Sequence, residues 1–155
     1  MSAENDLIKL YSQRILALAA DTPHTDRLAE PQSNVKRRSP LCGSTVTVDV
    51  TLQDGRVSEF GQDVKACALG QASASIFGAN VIGKTEEEIA ALRDQLHDML
   101  KSEGDAPSAP FGEYEVLLPA RDYKNRHASI LLVPEATLEA IREIKKGAAT
   151  SAARV

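Results

Sequence analysis

The segment Thr45-Val-Thr-Val-Asp-Val-Thr-Leu52 sets Val46, Val48, Val50 and Leu52 on alternate positions, and Asp54-Gly55 follows at once. A period of two describes a strand with one buried face. An Asp-Gly pair supplies the positive φ angles of a two-residue hairpin turn, so Arg56 to Val64 reads as the returning strand. An antiparallel hairpin of this kind excludes an all-helical chain. A parallel α/β sheet would need strands alternating with helices, and the rest of the sequence shows no such alternation. The fold expected is α+β: a small antiparallel sheet containing this β-hairpin, flanked by helices.

The flanking segments carry helical spacing. Leu7, Leu10 or Tyr11, Ile15 and Leu18 fall on one side of a 3.6-residue wheel, which predicts an amphipathic helix over 5–20. Residues 21–41, with Pro23, Pro31, Pro40 and the basic run Lys36-Arg37-Arg38, read as a loop. The small residues from Ala68 to Phe77 suit a helix lying close against a neighbour, with Gly78 or Gly83 to end it. Thr85 and Glu88 form a capping box for a helix over 86–101, whose Ile89, Leu92, Leu96, Met99 and Leu100 make a buried stripe. Ser102 to Gly112 is a surface connection and Arg121 to Val133 reads as helical. Pro134 is placed as the first residue of a last helix running through Ala136, Leu138, Ile141 and Ile144 to Gly147. Residues 1–147 thus read as a single domain and 148–155 as a disordered tail.

Size and charge narrow the function classes. A chain of 155 residues has no room for a second large domain, yet it can bury a core without disulfides. Its 18 Lys and Arg against 22 Asp and Glu leave a net charge of −4, a field that repels nucleic acid and anionic membranes. With 4% aromatic residues it also has few rings for stacking bases. No apolar run approaches the roughly 20 residues that span a bilayer. Neither nucleic acid nor membrane is expected as a partner. The first residues show no secretory or transit pattern, and two cysteines suit a reducing compartment, so a cytoplasmic protein is expected.

Those cysteines are the chief candidates for chemistry. Cys42 precedes the alternating strand in Pro40-Leu-Cys-Gly43, and Cys67 follows the returning strand in Lys65-Ala-Cys-Ala68. A hairpin brings its outer ends together, and amides at a helix N-terminus favour a thiolate, so the pair is a candidate soft-metal site. Against this, free cysteine is among the most buried residue types. There is no CxxC pair and hence no thioredoxin-like or zinc-finger pattern. His24 and His97 read as surface residues. His127, taken alone, is also a surface or capping residue; only its neighbours single it out. Gly78-Ala-Asn-Val-Ile-Gly-Lys84 lacks Walker spacing and no serine lies in a nucleophile elbow, so neither nucleotide hydrolysis nor a hydrolase triad is indicated.

Three segments together resemble one family. They are Leu41-Cys42-Gly43 ahead of the alternating strand, Lys65-Ala-Cys-Ala-Leu-Gly-Gln-Ala-Ser-Ala-Ser75, and Arg126-His127-Ala128-Ser129-Ile130-Leu131. In these the chain resembles the iron–sulfur cluster assembly scaffolds, the group of IscU, SufU and the N-terminal domain of NifU. The likeness runs from the helix at Tyr11 to Leu16 to the one at Pro134 to Leu138. It implies the α+β SufE/NifU-like fold, a transient iron–sulfur cluster or zinc as cofactor, and Cys42, Cys67 and His127 as ligands. It also implies a cysteine desulfurase and other assembly proteins as partners, and a homodimer is compatible with it. The chain departs from the pattern at two places: Ala128 stands where the family has its third cysteine, and Ser44 replaces the acidic residue after the first Cys-Gly. A cluster generally takes four ligands and zinc accepts three plus water. The leading expectation is therefore a divergent assembly scaffold or carrier, not an enzyme. The alternatives are an interaction or regulatory protein that kept the fold and lost the cluster, and a zinc-dependent SufU-like sulfurtransferase.

Overall fold

The computed structural model describes residues 12–40 and 43–153, with the backbone alone for 148–153. Its order is α1 (Gln13–Ala20), β1 (Ser33–Arg38), β2 (Thr45–Gln53), β3 (Arg56–Lys65), α2 (Ala68–Asn80), α3 (Glu86–Lys101), a 3-10 helix (Gly112–Asp122) and α4 (Lys124–Ala153). The sheet is antiparallel throughout, in the order β1-β2-β3. This is the α+β arrangement expected, with helices packed on one face of a small sheet.

The hairpin turns where Asp54-Gly55 placed it. Asp54 (φ 55°) and Gly55 (φ 77°) both take the left-handed region, and Gln53 pairs with Arg56 across them. The register Val46↔Val64, Val48↔Gln62 and Val50↔Phe60 defines the inner face. There Val46, Val48, Val50 and Phe60 join Leu69, Ile76 and Phe77 of α2 and Ile130, Leu131 and Ala140 of α4 in one core. Helix α3 begins and ends as expected. Thr85 Oγ1 accepts from Glu88 N–H at 3.2 Å, and the Glu88 carboxylate accepts from Thr85 N–H at 3.0 Å.

Four expectations need correction. The segment expected as a loop over 21–41 contains strand β1, including the basic run. Its apolar content is a single valine, but Ser33 and Val35 are buried, and inward-facing Arg37 pairs with Glu139 of α4 at 2.8 Å. The helix expected over 5–20 does not run through Ser12, which is extended and caps α1 by accepting from Ile15 N–H at 3.3 Å; residues 5–11 of the expected helix lie outside the described residues. Gly78 does not end α2. It lies inside the helix, where an added Cβ would stand 2.7 Å from Gln62 Nε2, so its missing side chain lets the helix sit on β3. Finally, Pro134 does not start a helix: it lies within α4, which is continuous from Lys124 and passes Gly147 to reach Ala153.

The last correction has a local cause. Proline has no N–H, so it frees the carbonyl four residues earlier, here that of Ile130. Ser73 of α2 donates its hydroxyl to that carbonyl at 2.6 Å. The Tyr114 hydroxyl in turn stands 2.9 Å from Ser73 Oγ and donates to the Ser73 carbonyl at 3.0 Å. A buried polar chain thus crosses from the 3-10 helix through α2 to α4, and no carbonyl is orphaned by the proline.

Candidate functional site

The cysteine end of the sheet is built by three turns of chain. Arg38 pairs with Thr45, and Thr45 pairs with Lys65, so the β1–β2 connection and the exit of β3 lie at the same end. The connection closes on itself: Ser39 N–H donates to the Ser44 carbonyl at 2.8 Å and Gly43 N–H to the Ser39 carbonyl at 2.9 Å. Gly43 takes φ 72°, which glycine adopts without penalty. Cys42 itself lies outside the described residues. Its flank at Gly43 and Ser44 borders an open hollow of about 410 Å³ that Lys65, Ala66, Cys67 and Gln71 complete.

Cys67 is the N-cap of α2, with extended backbone (φ −65°, ψ 171°) and no capping bond from its side chain. The thiol is half-buried and outside any disulfide. Its neighbour is Ser129 of α4, whose Oγ stands 3.9 Å from Sγ, and Ser129 Oγ is 3.0 Å from Ser44 Oγ. Close approach of α2 and α4 makes this possible. A Cβ on Gly70 would lie 2.4 Å from Ser129 Oγ and 2.7 Å from Ala66 Cβ. Gln71 steadies the exit of β3 by donating its amide to the Val64 carbonyl at 2.8 Å.

His127 is placed differently. It is buried, and its Nε2 lies 2.9 Å from the Ala120 carbonyl and 3.0 Å from that of Arg121. Carbonyls only accept, so Nε2 carries a proton, and Nδ1 is the ring nitrogen that these carbonyls leave open to ligate. The ring borders a second hollow, of about 400 Å³, with Leu100, Lys101, Glu103, Arg121, Asp122 and Lys124. Residues two apart on a helix point to opposite sides, which is why Ser129 faces Cys67 while His127 faces the 3-10 helix. Among the described residues, no three of His, Cys, Asp and Glu cluster closely enough to hold a metal ion. The structure therefore brings Cys67 together with two hydroxyls and with the flank of Cys42, and it sets His127 on another hollow.

The sequence reading passed over Ser129, and it noted Ser44 only as a replacement. The signal was available in part: Ser44 follows Cys42-Gly43, and Ser129 lies two residues beyond His127. What it could not supply was the approach of α2 to α4 that makes the two hydroxyls neighbours.

Residues 10–129 match the model of the NifU-like N-terminal domain. The chain belongs to the NifU-like N-terminal domain family. Within the fold, a crystal structure of a nitrogen-fixing NifU-like protein (N-terminal) from Brucella abortus is 45% identical, with TM-score 0.88, covering 91% of this chain and 98% of that one. Among curated proteins, the iron–sulfur cluster assembly scaffold protein IscU of Streptococcus pyogenes serotype M1 is 26% identical over 82% of each chain. The protein of the same name from Thermotoga maritima is 23% identical over 88% of this chain and 96% of its own. The NifU-like match spans the cysteine connection, the exit of β3 and α2, which line the hollow, and ends at Ser129 of α4, the neighbour of Cys67.

Proposed function

We propose that this NifU-like chain is an iron–sulfur cluster assembly scaffold or carrier that holds the cluster as cargo at the cysteine end of its sheet. One observation carries the reading. Cys67 caps a helix N-terminus beside an open hollow whose other wall is the flank of Cys42. A cysteine sulfur is a soft ligand suited to iron–sulfur cargo, and an open hollow lets that cargo enter and leave.

The ligand set proposed is Cys42, Cys67 and His127; because His127 stands on the other hollow, it joins the cysteines only when the start of α4 moves, and it then ligates through Nδ1, since its Nε2–H is held by two carbonyls. Fixing one ring nitrogen on backbone carbonyls is how proteins orient a ligating histidine. Three protein ligands leave a cluster one short, and a homodimer or a partner thiolate would complete it. The scaffold names of the relatives support partners from the assembly machinery; a cysteine desulfurase as sulfur donor is the partner proposed. The same donors would accept zinc with a water in fourth place, the finer reading that a zinc-dependent sulfurtransferase requires.

A specific observation favours a second reading. With Ala128 in place of a thiol and Ser44 in place of a carboxylate, the polar groups gathered by Cys67 are the hydroxyls of Ser129 and Ser44. An interaction protein that kept the fold without the cluster fits that replacement. Iron and acid-labile sulfide retained after anaerobic loading and desalting separate the two, with size-exclusion chromatography to read the assembly state. Retention of both in a stoichiometric species supports the scaffold; a protein that retains neither, as monomer or dimer, overturns it.

A further inference from the structure

Among the described residues, the outer face of the sheet is covered over only half its length. Toward the hairpin end, the segment before β1 lies across it. Asp49 is buried there beneath Arg27 and Leu28, and a Cβ on Gly61 would stand 2.6 Å from the Asp26 carbonyl. Toward the cysteine end the outward rows are Lys36-Thr47-Asp63 and Arg38-Thr45-Lys65. Lys36, Arg38 and Lys65 are exposed, and among the described residues none of them makes an ion pair. Strands lie about 4.8 Å apart and alternate residues roughly 7 Å apart, so the three cations occupy a patch about 10 Å across. Among the described residues of these two rows, Asp63, beside Thr47, is the single carboxylate. Lys65 also borders the Cys67 hollow, which joins the patch to the site.

The chain as a whole carries −4, so this concentration runs against its net charge. Edge strands often carry charge to prevent edge-to-edge pairing, and β1 and β3 are both edges. Edge protection by cations accounts for the common sign, but not for the gathering of charge at the cysteine end, on both edges at once. Arg37, between Lys36 and Arg38, shows what a cation does here when it serves the fold: it turns inward and pairs with Glu139.

We infer that this bare half-face is a docking surface for a partner protein that presents a carboxylate-rich segment, seated across Lys36, Arg38 and Lys65 and so brought against the Cys67 hollow. The inference stands on the register and the charges, whether or not a cluster is assembled there. Complementary charge of this kind steers encounter and sets orientation, and its contribution falls with salt.

A fluorescently labelled hexaglutamate peptide serves as the probe, titrated at low ionic strength into the full chain and followed by amide chemical shifts. The expected result is binding that perturbs the amides of Lys36, Thr45, Thr47 and Lys65. Affinity should fall at least about tenfold in the triple variant Lys36→Glu, Arg38→Glu, Lys65→Glu. A control variant with the same change in net charge, Lys84→Glu, Lys101→Glu, Lys124→Glu, should bind within about twofold of the parent. Because all three patch side chains are exposed, amide spectra of the patch variant should otherwise overlay those of the parent; Lys65→Glu alone, with about a threefold loss, covers the case where they do not. Failure of the peptide to bind, equal losses in the two triple variants, or shifts confined to another face would each overturn the proposal. So would a change in sedimentation showing that the patch mates with a second copy of this chain.

Discussion

At the residue scale, Asp49 secures the covered half of the outer sheet face and Gly70 sets the approach of α2 to α4 beside Cys67. Asp49 has no exposed surface, and burial alone would raise its pKa. Hydrogen bonds from Arg27 at 2.6 and 3.1 Å, Asn34 at 2.5 Å and Leu28 N–H at 3.0 Å outweigh that and hold the carboxyl below the usual carboxylate range. A carboxyl whose pKa is lower folded than unfolded stabilises the fold fully above the unfolded value, about 3.9, and loses that contribution as pH falls through the folded value. Asp49→Asn should therefore cost about 1–3 kcal/mol in urea unfolding at neutral pH. The gap from the parent should narrow as the pH is lowered below about 4; a gap that is constant with pH would assign the loss to shape instead. Gly70 is the second position. Gly70→Ala places a methyl where Ser129 Oγ and Ala66 Cβ already lie, and should cost about 1–3 kcal/mol. Adding Ser129→Ala should recover part of that loss in thermal melts, since one of the two obstructing atoms is then removed.

At the scale of elements, the contact between α2 and α4 depends on a proline and a serine acting together. Pro134 frees the Ile130 carbonyl and Ser73 occupies it. Ser73→Ala should destabilise by about 1–3 kcal/mol, because a buried acceptor loses its donor. With Pro134→Ala, the residue at 134 regains an N–H for Ile130, and the cost of Ser73→Ala should shrink. A double-mutant cycle measures the coupling, and strictly additive losses would contradict the account. This pair also explains why α4 was not legible as one helix. From the sequence a proline argues for a helix start, and only the neighbouring helix shows how an interior one is accommodated. Strand β1 was hidden for a related reason. Its inward positions are Ser33, Val35 and Arg37, and a hydrophobic period cannot be read from a single valine. By contrast β2, β3 and α3 were legible because their signals are local: alternation, Asp-Gly, and the Thr85–Glu88 box.

For the whole molecule, the layers put one thiol, two hydroxyls and the Cys42 flank at one end of the sheet, while α4 turns His127 toward the 3-10 helix. Glu86, held below the usual carboxylate range by hydrogen bonds from Lys145 and Arg142, ties the start of α3 to the far part of α4 and fixes that helix across the sheet. Among the described residues no helix is long and apolar enough to cross a membrane. The family was legible from short motifs, and so was the placing of Cys67 where β3 gives way to α2. The neighbours of Cys67 were not, because they depend on how closely two helices approach. The central claim is that this end assembles a cluster on Cys42 and Cys67. Its most direct test is the visible absorption spectrum after anaerobic reconstitution with ferrous iron and sulfide, for the parent chain and for Cys42→Ser, Cys67→Ser and His127→Ala. The account predicts a sulfide-to-iron charge-transfer chromophore in the parent that is lost in both cysteine variants and weakened in His127→Ala. A parent chain that stays colourless, or a chromophore that survives loss of either cysteine, would contradict it.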